Sequence, residues 1–146
     1  SNSMRERLAL NIMVLVGRAF RDPQRTLNIQ TLSEEMKIPS LTLWPLAAEL
    51  EKNALLTTNE KDELLPGRDV ARIRLQDIIE VVRSQGETGS FQEPHWESHV
   101  DGLGQKLDDA VSATIGEVTL SDLLDEVEKS GSSGSAAGDG HPVDED

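Results

Sequence analysis

The stretch LNIQTLSEEMKIPSLTLWPLAAELEKNALL, Leu27 to Leu56, decides the fold. Asn28 is placed to accept the first free N–H groups of a helix, Ile29, Leu32 and Met36 then share one face, and Pro39 stops that helix. Ser40 can cap the next helix, in which Leu43, Leu46, Ala47 and Leu50 form an apolar stripe. Pro45 is tolerable there because it lies near the first turn. Two short helices joined by a tight turn spell a helix-turn-helix, with the second in the position of a DNA-reading helix.

Upstream, Leu8, Ile12, Leu15, Val16, Ala19 and Phe20 recur at helical spacing and predict an amphipathic helix ending near RDPQR. Downstream, LLTTNEKDELLP reads as two short strands around the polar turn Asn59 to Asp62. The fold class expected is therefore mainly α: a winged helix-turn-helix of three helices plus a short β-hairpin wing, with an additional C-terminal helical segment. The winged domain spans 4–84, its last part the run RIRLQDIIEVVR, which enters extended and becomes helical through about Arg83.

SQGETGSFQEP, with two Gly and a Pro, supplies a linker over 85–94. C-terminal helices follow over 95–129. Trp96, Val100, Leu103, Leu107, Ala110 and Thr114 alternate spacings of four and three, a seam for a partner or for the domain itself, although Gly102 and Gly104 weaken the helix. Thr119 and Asp122 form a variant capping box ahead of Leu120, Leu123, Leu124 and Val127. From Ser130 the chain has almost nothing to bury, and 130–146 is expected to be a disordered acidic tail.

Composition narrows the function. The 146 residues carry 27 acids against 14 bases, a net charge of −13, which opposes general affinity for phosphate backbones. The absence of cysteine excludes disulfides, thiol catalysis and cysteine-ligated metal or iron–sulfur sites. The most apolar segment, Leu8 to Phe20, is too short and too polar for a membrane span, and no signal peptide is evident. The opening SNSM reads as a tag remnant or an internal cut, so the chain is expected to be a piece of a longer protein.

The reading helix is poor in cations. Lys52 is its only base, and its N-terminal half offers Ser40, Thr42, Trp44 and Pro45 in place of the Arg, Lys, Asn or Gln that grip purine edges. Trp44 is either core or an exposed anchor for a protein partner, stiffened by Pro45. Thr42, Trp44 and Pro45 are accordingly the candidate partner-binding residues. Arg68, Arg72 and Arg74 form a basic group suited to phosphate or anionic lipid, against the alternative of a solvated cluster paired with Asp69 and Asp77. Trp96, Val100, Leu103 and Leu107 are the candidates for self-association.

His95 and His99 are four apart, but Glu97 between them does not match the zinc-protease spacing and no third ligand is assigned, so ordinary helix-start histidines are expected. Adjacent carboxylates, Asp108 with Asp109 and Asp125 with Glu126, diverge by about 100° around a helix and lack a convergent partner. No catalytic residue, no metal and no cofactor is expected.

The order of elements resembles the BrkB/YihY family of inner-membrane proteins, historically labelled ribonuclease BN-like, through RLALNIMVLVGRAF, the Leu27 to Leu56 stretch, LLPGRDVARIRLQDIIEVVR and EVTLSDLL. That resemblance implies a non-catalytic cytoplasmic interaction or regulatory domain of a longer, membrane-embedded bacterial protein, lying at the cytoplasmic face of the inner membrane. Its scaffold would serve protein contacts or self-association as a homodimer, and nothing here would carry the hydrolysis the old label names. The phrase LPGRDVARIRLQDIIEVV and the late helix are also similar to the IscR type of winged-helix repressor, which implies the alternative of a dimeric DNA-binding transcriptional regulator. TTNEKDE replaces that group's glycine-rich wing and its cluster-binding cysteines are missing, so DNA is disfavoured and cluster sensing is excluded.

Overall fold

The computed structural model describes residues 2–87 and 97–140. In chain order these form α1 (Asn2–Arg21), α2 (Ile29–Met36), α3 (Ser40–Lys52), β1 (Leu56–Thr58), β2 (Leu64–Pro66), a 3-10 turn (Val70–Arg72), α4 (Leu75–Glu87), α5 (Ser98–Ile115) and α6 (Leu120–Gly140). Three helices followed by an antiparallel hairpin are the expected winged helix-turn-helix.

Local chemistry builds the α2–α3 unit. The Asn28 side chain accepts the Thr31 N–H at 2.8 Å while the Thr31 hydroxyl accepts the Asn28 N–H at 2.9 Å, a reciprocal cap on α2. Lys37 closes the helix in the left-handed conformation (φ 58°), and the Ser33 hydroxyl donates to the Ile38 carbonyl at 2.6 Å across the turn. Ser40 does not cap α3: Pro39 holds the cap position without a side-chain bond, because the fixed ring already sets the entry angle and Ser40 is taken into the first turn. Pro45 likewise sits inside the helix, in its second turn. The carbonyl of Leu41 thereby loses its usual donor, and Leu41, 83% exposed, leaves that carbonyl within reach of water.

The hairpin pairs Leu56 with Pro66, Thr57 with Leu65 and Thr58 with Leu64. Its turn is held by Asn59, whose side-chain oxygen accepts the N–H of Lys61 at 2.9 Å and of Glu63 at 3.0 Å, with Asp62 at φ 61°. The wing lies on extended backbone through the Leu64 N–H, which donates to the Leu27 carbonyl at 2.7 Å. Gly67 passes so close to Ala54 that a Cβ would overlap the Ala54 carbonyl, and its N–H donates to the Leu55 carbonyl at 3.0 Å.

One core joins all of this to α6. Ile12, Met13 and Val16 of α1, Leu32, Leu43, Leu50, Leu55, Ile73, Ile78 and Val82 are fully buried together with Leu120 and Leu124. The reciprocal Thr119 and Asp122 bonds (3.0 and 3.1 Å) cap α6 as the spacing predicts. Its entry is zipped to that of α4: the Leu75 N–H donates to the Val118 carbonyl at 2.9 Å and the Leu120 N–H to the Ile73 carbonyl at 2.7 Å. Gly17 makes room for α6, since a Cβ there would stand 2.8 Å from a Leu124 methyl.

That docking rotates the buried face of α1 away from the expected one. Ala9 and Met13 are inside, Leu8 and Leu15 are half-buried, and Phe20 is 58% exposed. At the other boundaries, 85–87 belongs to α4 instead of a linker, and α6 runs helical to Gly140, past Ser130 where a structureless tail was expected. The rest of the linker (88–94), His95, Trp96 and 141–146 lie outside the described residues. No described helix is long and apolar enough to cross a membrane.

Candidate functional site

Helix α3 is apolar on two sides. Leu43, Leu46, Ala47 and Leu50 enter the core, whereas Leu41, Trp44, Pro45 and Ala48 form a second stripe at spacings of three, one and three on the solvent side. Trp44 is 53% exposed, which resolves its two sequence readings in favour of the surface. Thr42 is exposed beside it. The expected trio of Thr42, Trp44 and Pro45 is thus brought together, and sequence reasoning missed only Leu41 and Ala48, whose signal was the same helical spacing.

Beside Trp44 a cavity of about 410 Å³ opens between α3 and the hairpin. Ala47, Leu56 and Leu64 form its apolar floor, Ile29 and Trp44 its apolar sides, and Glu51, Lys61 and Asp62 its charged rim. The floor exists because Leu56 and Thr58 share one face of β1, turned toward α3. Nothing local in the sequence pairs Trp44 with Asp62, so this groove was not legible before the hairpin was folded against the helix.

The basic group lies elsewhere. Arg68 lines a separate cavity of about 250 Å³ with Asn53, at the C-terminal end of α3. Trp44 and Asn53 are nine residues apart, roughly 14 Å along a helix axis. Arg68 and Arg74 both reach Asp77, at 3.4 and 3.2 Å, and the Arg68 Nε–H donates to the Arg72 carbonyl at 3.3 Å. Asp77 also accepts the Arg74 backbone N–H at 2.9 Å. Burial works against the Asp77 charge, but the Arg74 N–H and guanidinium, with Arg68, outweigh it and hold the carboxyl below the ordinary carboxylate range. Arg72 is exposed, and Asp69 caps the 3-10 turn by accepting the Ala71 N–H at 2.9 Å.

Along α5, Val100, Leu103, Leu107 and Val111 are 52%, 59%, 61% and 40% exposed, and no α5 residue is buried. Among the described residues, the seam from Val100 to Val111 is thus left largely uncovered. At its start Glu97 accepts the His99 N–H at 2.9 Å and meets the His99 ring at 2.9 Å, contacts that hold the Glu97 carboxyl below its usual range. His99 is thus engaged in the helix cap. Among the described residues no three His, Cys, Asp or Glu side chains gather as metal ligands.

No protein-family model matches the chain. A protein of Rhodospirillum rubrum named a UPF0761 membrane protein is 32% identical over 93 residues, covering 63% of this chain and 21% of that protein. The chain thus spans about a fifth of that relative's length. Among solved structures, Staphylococcus aureus CymR in its oxidized form matches with TM-score 0.63 and 22% identity over 85% of this chain and 95% of its own. T. potens IscR matches with TM-score 0.65 and 18% identity over 86% and 87%. CymR of B. subtilis, named the global cysteine regulator, gives 0.61 and 21% over 83% and 93%. The fold is that of winged-helix regulators. A share of 85% is too large to stop at residue 84, so the likeness takes in part of the C-terminal helices as well.

Proposed function

We propose that this chain is a non-catalytic winged-helix module that works through protein contacts, pairing with a second copy through α5 and meeting a partner with the outer face of α3. The observation that carries this is the stripe of Leu41, Trp44, Pro45 and Ala48 where a DNA reader needs hydrogen-bonding side chains. Exposed Trp is costly in water and enriched at interface hot spots. Exposure of Val100, Leu103, Leu107 and Val111 along one helix supports self-association. The likeness to a membrane protein supports placing the module within a longer BrkB/YihY-type chain, at the cytoplasmic face of the inner membrane.

A second reading, a dimeric DNA-binding regulator of the IscR type without its cluster, is favoured by the fold likeness, which covers more of this chain (86%) than the sequence likeness does (63%). In that case Arg68, Arg72 and Arg74 supply phosphate contacts, and pairing through α5 sets the spacing of two half-sites. Selection from random duplex DNA at low salt separates the two. The protein-contact reading expects no enriched sequence. An enriched site whose affinity falls steeply with salt would put the regulator in its place.

A further inference from the structure

We infer that the groove between Trp44 and the hairpin is a docking site for a basic, apolar peptide segment: an aliphatic or aromatic side chain seated in the groove with Arg or Lys beside it. This rests on the protein-contact reading and names the chemistry of the partner. The groove's volume, about 410 Å³, falls within the range of sites that enclose a ligand. Ile29, Ala47, Leu56 and Leu64 give it an aliphatic surface beside the Trp44 ring, which suits an apolar anchor, and Asn28, Gln30 and Thr58 line it with hydrogen-bonding groups.

Charge selects the flanks. Glu51 and Asp62 stand on the rim and are exposed, and neither has an ion-pair partner among the described residues. Lys61 is the one base among the residues that line the groove, against these two acids. Acids thus outnumber bases around the opening, within a chain whose net charge is −13, so an acidic segment is repelled and a basic one drawn in. The half-exposed face of Trp44 offers an Arg side chain a second attraction, its ring quadrupole.

The groove is also preformed. Asn59 bonds to both Lys61 and Glu63 and fixes the turn that bears Asp62, and the reciprocal Asn28 and Thr31 cap fixes the opposite wall. Little ordering is left for the protein side to undergo on binding.

The test is selection of a random-peptide phage library on the immobilised full chain, followed by affinity measurements with the enriched peptides made synthetically. Enriched peptides are expected to share an apolar residue within a turn of Arg or Lys and to carry net positive charge. Binding should weaken by about tenfold or more in Trp44→Ala and in the pair Glu51→Lys with Asp62→Lys, and weaken with added salt in the wild type. Glu51 and Asp62 are exposed, so the charge-reversed pair keeps its fold, with a melt lowered only slightly by Lys at the left-handed Asp62 position. Neutral or acidic enriched peptides, or binding untouched by these substitutions, would overturn the groove assignment while leaving protein contact elsewhere standing. No enriched peptide, together with duplex DNA retained through Arg68 and Arg72, would overturn both.

Discussion

Helices α5 and α6 leave the same stretch of chain and meet opposite fates. Both are amphipathic by spacing, yet α6 seals Leu120 and Leu124 completely into the core whereas α5 buries nothing. The difference lies in what each finds on α1 and α4. Helix α6 has a glycine, Gly17, beneath it, backbone bonds from Ile73 and Leu75 at its entry, and Arg21 bonded to Ser121, Asp125 and Glu128 at 3.0, 2.8 and 3.2 Å. Among the described residues, helix α5 has one long-range ion pair, Arg83 to Asp108 at 3.5 Å. An apolar stripe is thus a request for a partner, and among the described residues it is answered for α6 and not for α5.

The largest way to break the contrast is to attack the buried member. Leu124→Asp places a charge in the core and should abolish the folded state, and Leu124→Ala should cost about 2–5 kcal/mol in a denaturant melt. A loss under about 1 kcal/mol from Leu124→Ala would mean that α6 is not docked as described. Next comes the exposed member. Leu103→Asp with Leu107→Asp should leave the melt of dilute protein within about 0.5 kcal/mol and reduce the mass measured by sedimentation to that of one chain. If the mass of the wild type is already that of one chain at every concentration, α5 is not a self-association surface.

Acid should act at the start of α4, through Asp77. The Asp77 carboxyl is held below its ordinary range in the fold, so its contribution is present at neutral pH and is lost as pH falls through the carboxylate range to below the folded value. Asp77→Asn should therefore melt lower than wild type at neutral pH, with the gap closing as pH falls through the carboxylate range and below the lowered folded value. A gap independent of pH would separate the charge of Asp77 from its effect. Among the substitutions on the docked side the smallest effect belongs to Arg21→Ala, about 1 kcal/mol or less, because its ion pairs are partly exposed.

What could be read in advance was whatever short-range chemistry encodes. The Asn28 cap, the Thr119 and Asp122 box and the Asn59 to Asp62 turn each close within a few residues, and all three are found where spacing puts them. The inner stripe of α3 was legible for the same reason. Its outer stripe was not, because periodicity in a helix apolar on two sides does not say how much of the second side is covered. The displaced face of α1, with Met13 in and Phe20 out, depends on α6 arriving over Gly17, and the groove beside Trp44 depends on where the hairpin comes to rest. Those are facts of tertiary packing, carried by residues far apart in sequence.

Gly17 and Arg21 wait for residues made long after them: Arg21 and Asp125 are separated by 104 positions. During synthesis the winged half can therefore leave the ribosome with its first helix notched and uncovered, and the domain closes only when Leu124 has emerged. A copy cut short before Leu124 would keep an open apolar slot over Gly17, so completeness of the C-terminal end is a condition for closing the core at the N-terminal helix.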